Sequence, residues 1–329
     1  MANQKNQKIK LLALETIFRN ETDANHGLSM VELLDKLAER GIDAERKSVY
    51  TCIEALRESG MNIEKHNGAT VTYHFANRSF ATQEVLMIVD AIRSSSFLSA
   101  EAANALVDKV TRFACEPMRS RITEHAQLVS FPKSINDEAI NNIDILMRAY
   151  HAQKKITFRY FYYNKAGKPA LCRNGAAYTA TPLQLVYSGG RYYLVAFDDD
   201  LHELVNYRVD HMLKLAASSE DRAVNDITRS YKAEPLDSAR FNMNRGEVIP
   251  VTLIVKERAV NSVIDKFGND VTFSPEAGDA TCCHVRVVNC PAFYGWLLEQ
   301  GTGVVVKKPQ RVIDTYRAYL RASLNLYDA

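Results

Sequence analysis

The sequence predicts a multidomain α+β protein whose helical first third precedes mostly β-stranded segments. At 329 residues the chain is longer than a single hydrophobic core usually supports. No proline occurs before Pro117, as is typical of helical sequence, whereas aromatic and β-branched runs begin at Lys154. We therefore expect four segments, with boundaries at 1–78, 79–150, 151–240 and 241–329.

Composition and charge exclude several classes of protein. Hydrophobic residues make up 47% and charged residues 24%, as in ordinary globular proteins. The sequence shows neither a signal peptide nor an apolar run of about 18 residues, so we expect a cytoplasmic protein without a membrane partner. Among six cysteines only Cys282 and Cys283 are adjacent, and neighbours on a strand point to opposite faces. No metal site or cofactor is therefore expected.

Two amphipathic helices are expected before residue 41. The first covers 8–19, and Ser29 caps the second, with Glu32 completing a capping box. Gly41 ends the second helix. The apolar stripe of the first helix comprises Ile9, Leu11, Leu12, Leu14, Ile17 and Phe18.

A third helix and a hairpin complete the first segment. Asp43 is expected to cap the helix and Gly60 to end it, with Val49, Ile53 and Leu56 facing inward. Strands at 63–66 and 70–75 flank Asn67-Gly68, a strong hairpin signal. Three helices and then a hairpin predict a winged helix-turn-helix, and this order is more specific than any single residue.

In such a domain the third helix enters the major groove of DNA. The candidate DNA-binding residues are Arg46, Lys47, Ser48, Tyr50 and Thr51 in its first half, and Lys65 and Asn67 at the hairpin. Alternatively, Arg46 and Lys47 are simply solvent-exposed charges on a helix face with no role in binding DNA. Residues 1–75 hold ten basic and eleven acidic side chains, so affinity for DNA would depend on where the charges lie.

The register SMVELLDKLAERGIDAERKSVYTCIEALRESG, with a hairpin after it, resembles the N-terminal domain of bacterial DeoR-like regulators. That resemblance implies a homodimer on paired half-sites of a double-stranded operator.

The next segment, 79–150, contains two amphipathic helical stretches, at 85–92 and 102–110. Ser99 is expected to cap the second stretch and Pro117 to interrupt the helical sequence after it. We interpret this segment as a helical connector or dimerisation element.

The third segment is rich in short strands and predicts a small, strongly curved β-barrel. Gly189-Gly190 marks a hairpin turn. The order of an aromatic strand (Phe158, Tyr160), a Pro-Leu pair (Pro182, Leu183), Tyr192-Tyr193-Leu194 and an arginine strand (Arg208) resembles the WYL domain. The resemblance implies an Sm-like barrel that binds nucleotides, nucleic-acid fragments or other anionic effectors.

On that resemblance the candidate effector-binding residues are Tyr160, Arg191, Tyr193, Arg208 and His211. Residues 154–214 carry nine basic against five acidic side chains, which suits an anion. His211 stands where the family often has a second arginine, so we expect binding to depend on pH near neutrality. Ordinary packing within the barrel is the alternative role for the tyrosines.

The last segment predicts a ferredoxin-like α/β module in a βαββα order. A strand precedes a helix at 258–267, two strands come next at 271–273 and 282–288, and a helix covers 309–324. This order resembles the extension that is common after WYL domains. Lys307, Lys308 and Arg311 are expected to head the last helix, either beside the effector site or as a solvated face.

Together these features favour a transcription regulator that binds DNA and senses an anionic effector. We expect no enzymatic activity, because GxSxG, Walker, HExxH and GxGxxG motifs are lacking. An adaptor for RNA or single-stranded nucleic acid stays open as an alternative. A nucleic-acid hydrolase is the less favoured one, since active sites also assemble from distant residues.

Overall fold

The computed structural model describes residues 2–128, 131–233, 243 and 246–327, and the chain divides into two compact units, Met1–Ile140 and Asn141–Ala329. The first unit begins with six elements. They are α1 (Ala2–Glu21), β1 (Leu28–Ser29), α2 (Met30–Glu39), α3 (Arg46–Glu58), β2 (Ile63–Asn67) and β3 (Val71–Phe75). The strands form an antiparallel sheet in the order β1-β3-β2, and the helices share one core with it.

The cap of α2 is confirmed, whereas that of α3 was predicted wrongly. Ser29 Oγ accepts from Glu32 N at 3.3 Å, and the Glu32 carboxylate accepts from Ser29 N at 2.7 Å. In contrast, α3 begins after Glu45 and not after Asp43, and no side chain caps it. Ile42 and Ala44, both half-buried, pack against the core from the non-helical segment that precedes the helix.

Two further details of this region differ from expectation. Ile9 and Leu12 are 45% and 61% exposed, because the core contacts of α1 are made by a narrower stripe around Leu14 and Phe18. The hairpin is present, but Asn67 pairs with Val71, which leaves a three-residue loop at 68–70. The turn is therefore one residue longer than Asn67-Gly68 suggests.

A second core in the first unit is formed by three helices, α4 (Thr82–Ser94), α5 (Ala100–Thr111) and α6 (Glu116–Leu128). Ser99 caps α5 as predicted, its hydroxyl accepting from Ala102 N at 3.1 Å. Pro117 was expected to interrupt helical structure, but it is the second residue of α6. Proline is tolerated there because first-turn N–H groups have no helical acceptor.

The second unit contains a six-stranded, curled antiparallel sheet next to α7 (Ala139–His151). Its strands are β4 (Lys154–Tyr163), β5 (Pro169–Leu171), β6 (Tyr178–Ser188), β7 (Arg191–Asp198), β8 (Glu203–Arg208) and β9 (Met212–Asp221), and α8 (Asp226–Ser230) comes after them. The order is β5-β4-β6-β7-β8, with β9 also on β4. β8 and β9 do not pair within the described chain, so the sheet is a half-barrel. Gly189 and Gly190 form the predicted turn, both with positive φ.

The rest of the second unit is a four-stranded antiparallel sheet with three helices. The elements are β10 (Val248–Lys256), α9 (Val260–Phe267), β11 (Phe273–Pro275), β12 (Ala280–Val288), α10 (Pro291–Glu299), β13 (Val304–Lys308) and α11 (Gln310–Asn325), in the strand order β11-β12-β10-β13. Neither α10 nor β13 was predicted. Lys307 and Lys308 accordingly lie on β13 and not at the head of the last helix. Lys307 pairs with Glu276 at 2.6 Å.

Candidate nucleic-acid interface and effector site

The leading turn of α3 presents two cations to solvent. Arg46 and Lys47 are exposed and are the first two residues of the helix. Within the described ranges, no acidic side chain pairs with either of them. Tyr50, one turn later, is 47% exposed, and its ring meets the Tyr73 ring edge-on at 6.3 Å between centroids. This face therefore combines positive charge with an accessible aromatic ring.

The two hydroxyls predicted to contact DNA are already engaged within the protein. Ser48 Oγ accepts a hydrogen bond of 2.6 Å from Lys10 Nζ, and Thr51 Oγ1 donates to Lys47 O at 3.1 Å. Lys10 is only 9% exposed, so its ammonium is held against the start of α3. Lys10 was not predicted from the sequence, although a lysine one turn before Leu14 on a buried helix face is a recognisable signal.

The hairpin is fastened to α3 by Arg57. Its Nε donates to Ile63 O at 2.8 Å, at the first residue of β2. Lys65 and Asn67 alternate on one face of β2 and are both exposed. The structure thus joins the predicted residues of α3 and of the hairpin in one small folded region.

Arg208, the predicted phosphate clamp, is paired with an acid inside the half-barrel. Its Nε and Nη2 donate to the two oxygens of Asp210 at 3.2 and 2.6 Å. The Asp210 side chain is 2% exposed and that of Arg208 is 33% exposed. Burial disfavours the charged form, but the hydrogen bond and charge of Asp210 outweigh it and raise the pKa of Arg208. Arg208 is therefore a charged group with only part of its edge open to solvent.

Tyr160 supports the strand that carries Arg208. Its hydroxyl accepts from Arg208 N at 3.0 Å, and burial raises the pKa of Tyr160 to about 12. Its ring packs edge-on against the rings of Phe158, Tyr178 and Tyr207, with centroid distances of 6.3, 6.1 and 5.4 Å. These contacts are of the kind that the packing alternative predicts for this half-buried tyrosine.

The surroundings of His211 favour its neutral form. Its ring stacks on Phe161 at 4.5 Å between centroids, and Nδ1 donates to Phe161 O at 3.0 Å. Burial and the nearby charge of Arg208 lower the pKa of His211, with a further contribution from Arg191. The expected titration near neutrality is therefore moved to lower pH. The same interactions place both guanidinium groups near this imidazole.

Arg191 and Tyr193 lie on the same side of β7, next to Arg208. Tyr193 is the cross-strand partner of Arg208, and Arg191 begins β7 after the Gly189-Gly190 turn. Arg191 Nε is buried and has no hydrogen-bond partner among the described residues. The structure thus brings together four predicted residues, namely Arg191, Tyr193, Arg208 and His211. Of these, Arg191 has an unused donor.

Two interactions that position this region were missed. The Asp198 carboxylate is fully buried and accepts from Tyr207 Oη, from Asp200 N and from Leu201 N, the last two at 2.9 Å. Arg173 lies 3.5 Å from it, with its guanidinium 4.0 Å above the Tyr178 ring. The acidic run at 198–200 was the visible signal, but its partner Arg173 is too distant in sequence to be inferred.

α7 is bonded to the turn that carries His211. Asn142, which is 1% exposed, donates from Nδ2 to Met212 O at 2.9 Å and to Val209 O at 3.4 Å. These two carbonyls flank the 3₁₀ turn Val209–His211 between β8 and β9. The turn is therefore held from one side by α7 and from the other by the β4 aromatic residues.

Comparisons with known proteins agree with this division of the second unit. Residues 141–217 match the WYL domain family, and residues 247–324 match the WCX domain family. A search of curated proteins gave no match. A solved structure of proteasome accessory factor B/C (PafBC) of Arthrobacter aurescens is similar over 97% of this chain, with 18% identity and a TM-score of 0.28. The chain covers 49% of that protein. No helix within the described ranges has the length and apolarity needed to cross a membrane.

Proposed function

Because the chain contains a WYL domain and then a WCX domain, we propose that it is a transcription regulator that binds operator DNA and senses an anionic effector. The effector is a nucleotide, a single-stranded nucleic-acid fragment or a related anion. In this proposal α1 to α3 and the hairpin form a winged helix-turn-helix, with α3 in the major groove. The protein acts by binding and not by catalysis.

The observation that carries the DNA part is the exposed cation pair Arg46 and Lys47. An α-helix that enters the major groove contacts phosphates and base edges with residues near its N-terminus. Both cations are in the first turn of α3, and neither forms an ion pair with a described acidic side chain. Lys10 adds a third positive charge at the same helix start, so local charge offsets the acidic balance of residues 1–75.

The effector part rests on Arg191 and on the open edge of Arg208. Guanidinium groups bind phosphate through paired N–H donors. Asp210 occupies two of the Arg208 donors, so a phosphate would meet the remaining ones together with Arg191. Tyr193, between them on the same face, would supply an aromatic surface for a base. Arg191 is thus the principal anion-binding residue of this proposal.

We also propose a fold type for each sheet of the second unit, a cellular location and an oligomeric state. The half-barrel is assigned as Sm-like and the C-terminal sheet with its helices as ferredoxin-like, since the order β11-β12-β10-β13 belongs to a βαββαβ unit. We place the protein in the cytoplasm as a homodimer, because two-fold symmetric operators require two recognition helices.

Duplex binding by matched variants tests the DNA part. Genomic fragments retained by the full chain would be selected at stated salt and measured by fluorescence anisotropy. Arg46→Ala/Lys47→Ala should weaken duplex binding at least tenfold and reduce the salt slope by up to about two per bound copy. Lys109→Ala/Arg112→Ala removes the same charge from exposed residues of α5 and its end, and should change little.

The proposed recognition helix would be contradicted if both double variants lost the same duplex affinity, or if Arg46→Ala/Lys47→Ala lost none. The competing interpretation, an adaptor for RNA or single strands, is favoured by the net acidity of residues 1–75. It would be supported if single-stranded RNA displaced the duplex and bound equally well to the Arg46→Ala/Lys47→Ala variant.

A further inference from the structure

A cluster of three potential metal ligands lies in the first unit, away from α3. The carboxylate of Asp23, the imidazole of His26 and the thiol of Cys115 have one ligand atom each within 4.8 Å of one another. Asp23 and Cys115 are buried, and the His26 side chain is 31% exposed. Carboxylate, imidazole and thiolate are the three ligand types that zinc takes in proteins.

The local backbone fixes the first two ligands before any ion binds. Asp23 Oδ1 accepts from Asn25 N at 2.8 Å and from His26 N at 2.9 Å, which closes a tight turn after α1. The same oxygen accepts from His26 Nδ1 at 2.8 Å, so the imidazole is already turned toward the carboxylate. The two side chains therefore already face each other; for both to bind a metal, the Nδ1 proton would move to Nε2, and bonds to the ion would replace the Nδ1–Oδ1 hydrogen bond.

Cys115 brings the third ligand from a distant part of the sequence. Its thiol donates to Asp23 Oδ2 at 2.7 Å, and its backbone carbonyl accepts from Met118 N and Arg119 N at the start of α6. Burial and the bond with Asp23 raise the pKa of Cys115 to about 11, whereas the Met118 N–H acts in the opposite direction. The thiol proton lies between sulfur and carboxylate, in the place where a cation would join them.

Charge balance in the cluster is compatible with a divalent ion. The Arg78 guanidinium donates to the carbonyls of Arg19, Thr22 and Phe113, and so holds the Asp23 and Cys115 segments together. Its positive charge opposes a cation, but binding expels the thiol proton. A divalent ion therefore raises the net charge of the cluster by one only.

We propose that Asp23, His26 and Cys115 bind a divalent transition metal, with zinc the best match to this mixed oxygen, nitrogen and sulfur set. Tetrahedral ligands at zinc bond lengths lie roughly 3.3 to 3.8 Å apart, so small movements from the present separations suffice. A cleft bordered by His26, Glu116 and Ser120 lies beside the cluster and gives access for a water as fourth ligand. The ion would connect the turn before α2 to the turn before α6.

Cobalt substitution on the full-length chain tests this site without reference to DNA or effector. One equivalent of Co²⁺ added to chelator-treated, reduced protein should produce a thiolate-to-cobalt charge-transfer band, and Zn²⁺ should remove it. Cys115→Ser should abolish the band. Cys282→Ser, which removes a partly exposed thiol elsewhere, should retain it.

His26→Gln provides a second variant should Cys115→Ser fail to fold, since its side chain is partly exposed. We expect it to weaken Co²⁺ binding at least tenfold while far-ultraviolet circular dichroism is unchanged. The site is overturned if no band forms, if the band persists in Cys115→Ser, or if His26→Gln binds Co²⁺ as tightly as the unaltered chain.

Discussion

Lys10 Nζ and Ser48 Oγ form a hydrogen bond of 2.6 Å that joins α1 to the exposed helix α3. The two residues are 38 positions apart, and Lys10 is 9% exposed. A buried ammonium requires a partner, because charge without hydrogen bonds is costly inside a protein. The bond therefore constrains α3 at the turn that carries the proposed DNA contacts.

Removing Ser48 Oγ and removing Lys10 Nζ should have different effects on the free energy of unfolding. Ser48→Ala leaves the Lys10 ammonium with one partner fewer and should lower the unfolding free energy by about 2 kcal/mol. Lys10→Met removes the charge, keeps the apolar stem and should cost less than about 1 kcal/mol. Urea denaturation of both variants would measure the difference. A larger cost for Lys10→Met would show that the ammonium itself is the stabilising group.

Arg208 and Asp210 should behave as a mutually dependent pair. Arg208→Ala leaves a buried carboxylate without its bidentate partner and should lower the unfolding free energy by about 2 kcal/mol, less than for a fully buried pair because Arg208 is 33% exposed. The double variant Arg208→Ala/Asp210→Ala should recover part of that loss. A double-mutant cycle from urea denaturation would give the coupling, and strictly additive costs would refute it.

His211 should make stability depend on pH below neutrality. Its pKa in the folded protein is lowered from 6.5, so below that value the unfolded chain binds more protons than the folded one. The stabilisation from a neutral His211 is therefore complete above pH 6.5 and is lost as the pH falls through the lowered pKa. Thermal unfolding of His211→Gln should differ most from the unaltered chain at pH 7.5, with the gap narrowing by pH 5. His66→Gln, at an exposed position, should show no such convergence.

Arg191 should dominate anion binding at the half-barrel. Its Nε lacks a described partner, whereas the exposed Arg159 on β4 is outside the group formed with Arg208. Arg191→Ala should weaken binding of a short oligothymidylate about tenfold, or about 1.4 kcal/mol, and Arg159→Ala should have little effect. Fluorescence anisotropy at fixed ionic strength would compare them. If Arg159→Ala gave the greater loss, the anion would bind on another face.

Signals from residues close together in the sequence were enough to predict several helix starts and turns. Ser29 with Glu32, Ser99, and the Gly189-Gly190 turn each depend on residues within a few positions, and all three are confirmed. Helix α10 was missed because residues 291–299 are apolar nearly throughout and show no one-sided stripe. The start of α3 was misplaced because the capping preference of Asp43 is a local signal, whereas the half-buried Ile42 and Ala44 beside it contact the core.

The candidate sites were harder to predict than the elements, because the partner of a polar side chain is fixed only in the folded chain, whether that partner is near or distant in sequence. The residue types at Arg208 and His211 pointed to an anion site, but residue type alone did not show that Asp210, only two positions after Arg208, would occupy its guanidinium fork. In the same way, Cys115 taken alone gives no indication of Asp23, which lies 92 positions earlier. Residue types can therefore suggest chemistry, while availability of each group depends on its folded neighbours.

The attachment of Asn142 to the carbonyls of Val209 and Met212 has a mechanical consequence. A ligand that displaced the Arg208–His211 stretch would have to break both hydrogen bonds or move α7 as well. Asn142 lies in the first turn of α7, which begins at Ala139. A displacement of the Arg208–His211 stretch would therefore be passed to α7 through these two hydrogen bonds.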